Sequence, residues 1–271
     1  MGRSGVLPLC PTHDTVGRLT RSVRDAALLM QAMAGVDPDD RTTRVAPSLD
    51  YLAGIERGAA GLRIAYLAGQ DLAATEPAVL SHFEQAIARL AAVGATMVTL
   101  KLPRPLEDSM RSAGLLMSAE SYRFLAEYVD GADSAVHSSV RTRILRGRTI
   151  SAADYMRLLE DREQAQAEML QALDRADALV APTCPITAIP LAEVDEAQTP
   201  LSAYGRFVNF LDFASLSVPM GNTVHGLRTG LQIAVRRFDD PLALRIGRAL
   251  ERDAGFAVAI PPGFDPETAG R

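Results

Sequence analysis

Apolar and polar positions follow two different periods along this chain, and each change of period marks an element. From Ser22 onward Ala26, Ala27, Leu29, Met30 and Met33 recur at helical spacing, which predicts an amphipathic helix. Ser22 is a favourable N-cap, Asp25 stands where a capping-box acid belongs, and Gly35 and Pro38 end the segment. After a charged loop, Leu62 to Leu67 in "GLRIAYLAG" reads as a short strand. "TEPAVLSHFEQAIARLAAVGA" then carries Val79, Phe83, Ile87, Leu90 and Val93 on one face, with Thr75 as N-cap and Gly94 as stop. "ATMVTLKLP" is the next strand. Strand, helix and strand make a βαβ unit, so the two strands are expected to run parallel in one sheet.

A mostly helical section follows from about Pro105 to Ala176. Its last helix, from Ala152, puts Tyr155, Leu158, Leu159, Ala165, Met169 and Leu173 on one face. "DALVAPTCP" is a short buried strand ending in a Pro-rich turn, and residues Ile186 to Pro200 lack periodicity and read as loop. "SLSVPMG" and "GLQIAVRRF" form a closing strand pair connected through Val224, His225 and Gly226. "DDPLALRIGRALERDAG" is a terminal helix with Pro241 in its first turn. Residues 261–271 are expected to form a disordered tail. The fold class is therefore α/β, a mixed β-sheet flanked by helices, without internal repeats.

Composition narrows the class. Hydrophobic residues make up 48% of 271, enough for a substantial core. No apolar run reaches the length of a membrane span and no signal peptide is read, so a cytoplasmic chain without a membrane partner is expected. A net charge of -5 with dispersed basic residues argues against nucleic acid. Cys10 and Cys184 form neither a metal pattern nor a disulfide framework, and no cofactor or metal is expected. Among the 28 basic side chains, Lys101 is the only lysine.

Familiar catalytic patterns are missing. There is no G-x-G-x-x-G, P-loop or G-x-S-x-G elbow. The absence of a phosphate loop after Leu67 disfavours a nucleotide-binding domain. His13, His82, His137 and His225 lie far apart and read as solvated or hydrogen-bonded residues. Ser138-Ser139 is the only paired serine, in a polar connection read as lacking a nearby base.

The segment "GVLPLCPTHDTVGRLTRSVRDAALLMQAMAGVDPDD" resembles the part of the amidase signature family that follows its catalytic serine region. The similarity continues in order through "GLRIAYL", "ILRGRTISAADYMRLLEDR", "DALVAPTCPITAIPL", "NFLDFASLSVPMG" and "GLRTGLQIAVRRFDD". The resemblance implies a partial amidase-signature fold, with residues 1–260 matching the C-terminal portion of the domain and the N-terminal half lacking. In that family a serine attacks an amide carbonyl, a second serine and an unprotonated lysine relay the proton, and a Gly-Ser-rich loop holds the oxyanion. By the resemblance, all of these precede the point matching Gly5. No catalytic residue is therefore expected here, and Lys101 is expected at the surface. The chain should be inactive alone and contribute scaffold and pocket walls. Its expected partners are a small amide substrate, once an N-terminal half completes the site, and a second copy or a complementing chain. A non-catalytic binding protein built on the same half-fold is the alternative. An open sheet edge and exposed apolar helix faces should accompany the missing half.

Five residues are candidates for contact with substrate. Arg162 falls in the apolar register of its helix, where a guanidinium needs a partner. The resemblance implies a substrate carboxylate, as in members acting on glutamine; the other options are a structural ion pair, for instance with Asp212 or Glu120, or a stripe edge that reaches water. Asp14 and Thr15, in "DTVG", either wall the amide pocket or belong to a turn in which Asp14 caps local N–H groups. Asn209 and Asp212 in "NFLDFASLSVPMG" could line the same pocket. Asp212 and Ala214 stand where many relatives carry Gly and Pro, and "NFLDF" is nearer to allophanate-hydrolase-like members than to tRNA-dependent amidotransferase subunits. Cys184 reads as a small buried filler.

Overall fold

Ser22 caps the first helix, α1 (Val23–Met33), its hydroxyl accepting the Asp25 N–H at 3.1 Å. The computed structural model describes residues 1–131, 134–195 and 200–255. The expected βαβ unit is present as β1 (Arg63–Tyr66), α2 (Pro77–Ala92) and β2 (Thr96–Thr99), with β1 and β2 parallel. The N-cap of α2 is Glu76, not Thr75. Pro77 presets the first helical turn, while the Thr75 hydroxyl lies 2.6 Å from Tyr204 Oη. The Glu76 carboxylate accepts the N–H and O–H of Thr187 at 2.9 and 3.0 Å. Gly94 ends the unit at φ 95°, and a Cβ there would lie 2.9 Å from that of Ala60, so both backbone and packing require glycine.

The helical section comprises α3 (Leu106–Val129), α4 (Ser138–Leu145) and α5 (Ala152–Ala172). The α5 helix begins with a capping box of Ser151 and Asp154. It stops at Ala172, short of Ala176, because the Arg236 guanidinium draws the Leu173 and Ala176 carbonyls at 2.7 and 3.0 Å. Next come β3 (Ala178–Pro182), α6 (Ala203–Phe210), β4 (Ala214–Asn222), β5 (Arg228–Val235) and α7 (Asp240–Ala254). The strands order as β2-β1-β3-β5-β4. β3 is parallel to β1 and antiparallel to β5, and β4 closes the sheet antiparallel to β5, with a register shift between Pro219 and Gly221. The sheet is therefore mixed.

One core joins Ile64, Leu179, Val180, Leu231 and Ile233 of the strands to Phe83, Leu90, Phe207, Phe210, Leu244 and Ile246 of the helices. The helix α7 packs on β4 and β5, and α1 on α7; α3 meets α5 and α6, and α6 reaches β4. Two further expectations concern exposure. β2 and β4 are the outer strands, and Val6, Leu7, Leu19, Leu28, Leu29 and Met33 are exposed. No helix among the described residues is long and apolar enough to cross a membrane. The tail at 261–271 and residues 196–199 of the loop lie outside the described residues.

Candidate functional site

The loop before α1 folds back on itself. Asp14 Oδ2 accepts the N–H groups of Leu9 and Cys10 at 3.0 and 2.9 Å, and the Cys10 carbonyl accepts those of His13 and Asp14, both at 2.7 Å. Asp14 thus caps its own turn, and Thr15 beside it is exposed. This closure drives His13 inward. Its ring is 5% exposed and stacks on Phe210, with centroids 6.2 Å apart and planes at 26°. Nδ1 lies 2.8 Å from Thr12 Oγ1 and 3.2 Å from Cys10 Sγ.

Glu120 of α3 ties this loop to the helices. One carboxyl oxygen accepts the Thr12 N–H at 3.0 Å and the other the Tyr155 O–H at 2.9 Å. Burial sets the protonation of the cluster. It pushes the Cys10 thiol up to about 12, and it pushes Tyr155 up to about 12 with help from the bond to Glu120. His13 is held down to about 4, by burial first and then by the charge of Arg162, against the opposing pull of Glu120, Asp14 and Asp212. Its imidazole is neutral at pH 7. Three of the residues singled out in the sequence, Arg162, Asp14 and Asp212, therefore act on one imidazole. Thr15 and Asn209 present exposed side chains.

Arg162 is half-buried, and its Nε donates to the Phe210 carbonyl at 2.7 Å. The two acids offered as ion-pair partners are engaged elsewhere: Asp212 Oδ2 accepts from Arg237 Nη1 at 2.9 Å, and Glu120 serves Thr12 and Tyr155. Asp212 has a different task. Its φ is 61°, its N–H donates to the Asn209 carbonyl, and the Phe213 N–H donates to that of Val208, both at 3.1 Å. These bonds form a Schellman cap at the end of α6 with Asp212 in the left-handed position. Asp212 thus stands at a position where glycine is favoured and aspartate is tolerated.

Other candidates lie apart. Lys101 is exposed just beyond β2, at the opposite edge of the sheet from β4. Ser139 does have a base beside it, since His137 Nδ1 lies 2.9 Å from its Oγ at the exposed start of α4. Cys184 is half-buried rather than a buried filler, and its thiol donates to the Leu201 carbonyl at 3.3 Å. A hollow of about 410 Å³ lies between the start of α2 and the β4–β5 turn, lined by His82, Thr187, Asn222 and His225 among others. No cluster of three or more metal-ligating side chains occurs among the described residues. The hydrogen-bonded reading of His13 agrees with the contacts of its Nδ1, whereas its burial against Phe210 had no local signal in the sequence.

Comparison with known proteins places this arrangement. The Amidase family model matches residues 1–244. The glutamyl-tRNA(Gln) amidotransferase A-subunit of Myxococcus xanthus is 32% identical over 286 aligned positions, which cover 94% of this chain and 58% of that protein. The crystal structure of the same subunit from Thermotoga maritima matches with a TM-score of 0.77 at 29% identity, over 93% of this chain and 55% of its own. The native peptide amidase of Stenotrophomonas maltophilia matches with a TM-score of 0.76 at 26% identity, over 97% and 58%. The chain spans little more than half the length of each.

Proposed function

The chain belongs to the amidase family, and from that premise we propose that it forms the scaffold and substrate-pocket wall of an amide hydrolase whose serines and lysine come from an N-terminal portion. The observation that carries this reading is the place of the only lysine. Proton relay by the family's mechanism needs an unprotonated lysine beside serine hydroxyls, and Lys101 stands exposed just beyond β2, an outer strand of the sheet. Acyl transfer without an activated nucleophile and an oxyanion hole forfeits orders of magnitude in rate. Alone, the chain binds but does not turn over.

Arg162 is the anchor in this reading. Among the described residues only its Nε is committed, to a neutral carbonyl, which leaves the fork free for bidentate capture of a carboxylate. The substrate is then an amide that also carries a carboxylate. Asp14 and Asp212 act on the wall through their charge, and Thr15 and Asn209 belong to the segments that carry them. Cytoplasmic residence accords with two free thiols.

Ammonia release from simple amides and from L-glutamine tests the proposal. The chain alone is expected to give none. With the N-terminal portion of an amidase supplied as a second polypeptide, release is expected to appear and to fall with Arg162→Ala. Turnover by the chain alone that vanishes with Ser139→Ala or Lys101→Ala would overturn the reading.

A further inference from the structure

Three strands of the sheet run the same way and end in the same place. β1 and β3 are parallel, and β4, antiparallel to β5 as β3 is, shares their direction. What lies at or beyond the end of each lines the hollow of about 410 Å³: Ser81 and His82 of α2 after β1, Thr187 after β3, and Asn222, Val224 and His225 at the end of β4 and in its turn. Crevices outside the carboxyl ends of parallel strands are where such sheets bind ligands, and the volume falls within the about 300–1,000 Å³ of small-molecule sites. The His13 cluster is elsewhere. Phe210 precedes the start of β4, whereas the hollow lies at its end, roughly 26 Å away along the strand at about 3.3 Å per residue.

One side chain of the hollow is held in a fixed pose. The His82 ring lies against Gly221, where a Cβ would come 2.6 Å from its Cγ and 2.8 Å from its Nδ1. The register of β4 shifts between Pro219 and Gly221, an irregularity that re-aims side chains next to sites. Nδ1 lies 2.9 Å from the hydroxyl of Thr229, which is 6% exposed and itself donates to the Gly221 carbonyl at 3.2 Å. A hydroxyl has one proton, and a carbonyl can only accept. Both contacts are hydrogen bonds at once only when Nδ1 carries the ring proton and donates to Thr229. The bond at one ring nitrogen thus sets the state of the other, and Nε2 presents a lone pair that no donor among the described residues reaches. No aspartate, glutamate, lysine or arginine lines the hollow, and Val224 and Leu227 give it an apolar side. Glu76, which holds Thr187 from behind, opposes an anion. We propose that this hollow binds a neutral, largely apolar small molecule that donates an O–H or N–H to His82 Nε2. Thr229 acts as a positioning residue, since it fixes the tautomer that makes Nε2 an acceptor. A site built around one polar group rejects the analogue that cannot pair with it. Arg162 and the amide pocket play no part in this second site.

The test titrates the full chain, labelled with ¹⁵N-histidine, at pH 8 with phenol, with anisole, which lacks the donor, and with benzoate, which replaces it by a charge. The ring nitrogens of His82 should report the Nδ1–H tautomer, and phenol should shift the Nε2 resonance to saturation. Anisole and benzoate should bind at least about tenfold more weakly, equivalent to about 1.4 kcal/mol. In the variants, binding is followed through the backbone amide of His225. His82→Phe keeps a ring over Gly221 but has no acceptor, so it should weaken phenol about tenfold. His82→Gln, whose amide oxygen falls near Nε2, should recover most of that loss. Anisole binding as tightly as phenol, an Nε2–H tautomer, or undiminished phenol binding in His82→Phe would overturn the role of His82. Benzoate binding as tightly as phenol would overturn the neutral class of ligand. Phenol that fails to saturate the wild type would overturn the site itself, and the reading of Arg162 would stand untouched.

Discussion

Replacing Glu120 with alanine is expected to destabilise the protein by about 3 kcal/mol, and the figure follows from two bonds. Glu120 is 7% exposed and accepts one hydrogen bond from the Thr12 N–H at 3.0 Å and one from the Tyr155 O–H at 2.9 Å. Alanine leaves both donors without an acceptor, and a buried unsatisfied donor costs about 1–3 kcal/mol. Tyr155 is half-buried, so its hydroxyl can turn toward water and its share falls at the low end. Thr12 is held in the self-capped loop and its N–H has less freedom. Glu120→Gln keeps one acceptor oxygen but sets an amide NH₂ against the other donor, so about half the loss is expected. Tyr155→Phe removes one donor together with its bond and should cost about 1 kcal/mol. The double variant Glu120→Ala/Tyr155→Phe should then lose less than the sum, by about 1 kcal/mol, because the tyrosine is no longer stranded. Urea unfolding with unchanged m-values measures all four. Stability of Glu120→Ala within about 0.5 kcal/mol of wild type, or strict additivity in the double variant, would refute the claim that this carboxyl fastens the loop to α3 and α5.

Two further outcomes are expected. His13 is held at about 4 against an ordinary value of 6.5, so between these pH values the unfolded chain binds a proton that the folded one refuses. The stability from the neutral imidazole is complete above 6.5 and is lost as pH falls, at up to about 1.4 kcal/mol per pH unit; urea unfolding of wild type and His13→Gln at stepped pH should show the slope shrinking in the variant. Gly147→Ala would place a Cβ 2.0 Å from the Ser118 carbonyl oxygen and 2.7 Å from Tyr122 Cβ. The turn at Arg146–Thr149 must then part from α3, at about 1–3 kcal/mol, and an unchanged melting temperature would contradict the close approach.

Elements whose signal is local were readable from the chain. The apolar stripe of α2 and the short runs of β1 and β2 gave the βαβ unit, and Ser22 and Gly94 marked boundaries that the structure keeps. Where reading failed, a distant residue had intervened. Thr75 looks like a cap until Tyr204, far along the chain, occupies its hydroxyl. The helix α5 continues in pattern to Ala176, but Arg236 from beyond β5 takes the carbonyls that would extend it. The place of β3 between β1 and β5 depends on pairings with no sequence period. The site divides in the same way. Arg162 stood out because a guanidinium in an apolar register is an anomaly at helical spacing, whereas nothing local shows that Phe210 covers His13 or that Glu120 reaches Thr12. Asp212 stood out as a possible pocket residue, and its left-handed φ at the helix cap depends on backbone bonds that no local pattern announces.

The charges that remain unmatched favour a ligand site over a device for stability. Around His13 three buried groups are kept neutral: the thiol keeps its proton, the imidazole refuses one, and the tyrosine stays protonated, while Glu120 accepts from the neutral Thr12 N–H and Tyr155 O–H. Asp212 has an arginine, and Asp14 has the N–H groups of its own turn. Arg162, by contrast, is held by a single neutral carbonyl, although its field is strong enough to act on the imidazole next to it. Among the described residues no carboxylate hydrogen-bonds this guanidinium, and a half-buried charge held by a neutral carbonyl alone adds little to folding. An apolar residue in the same register would pack against Leu158, Leu159 and Ala165 at less cost. Local rules are broken this way mainly where a protein needs the group for something outside itself. On the proposed function, the carboxylate missing from the protein side of this contact is the one that the substrate would bring.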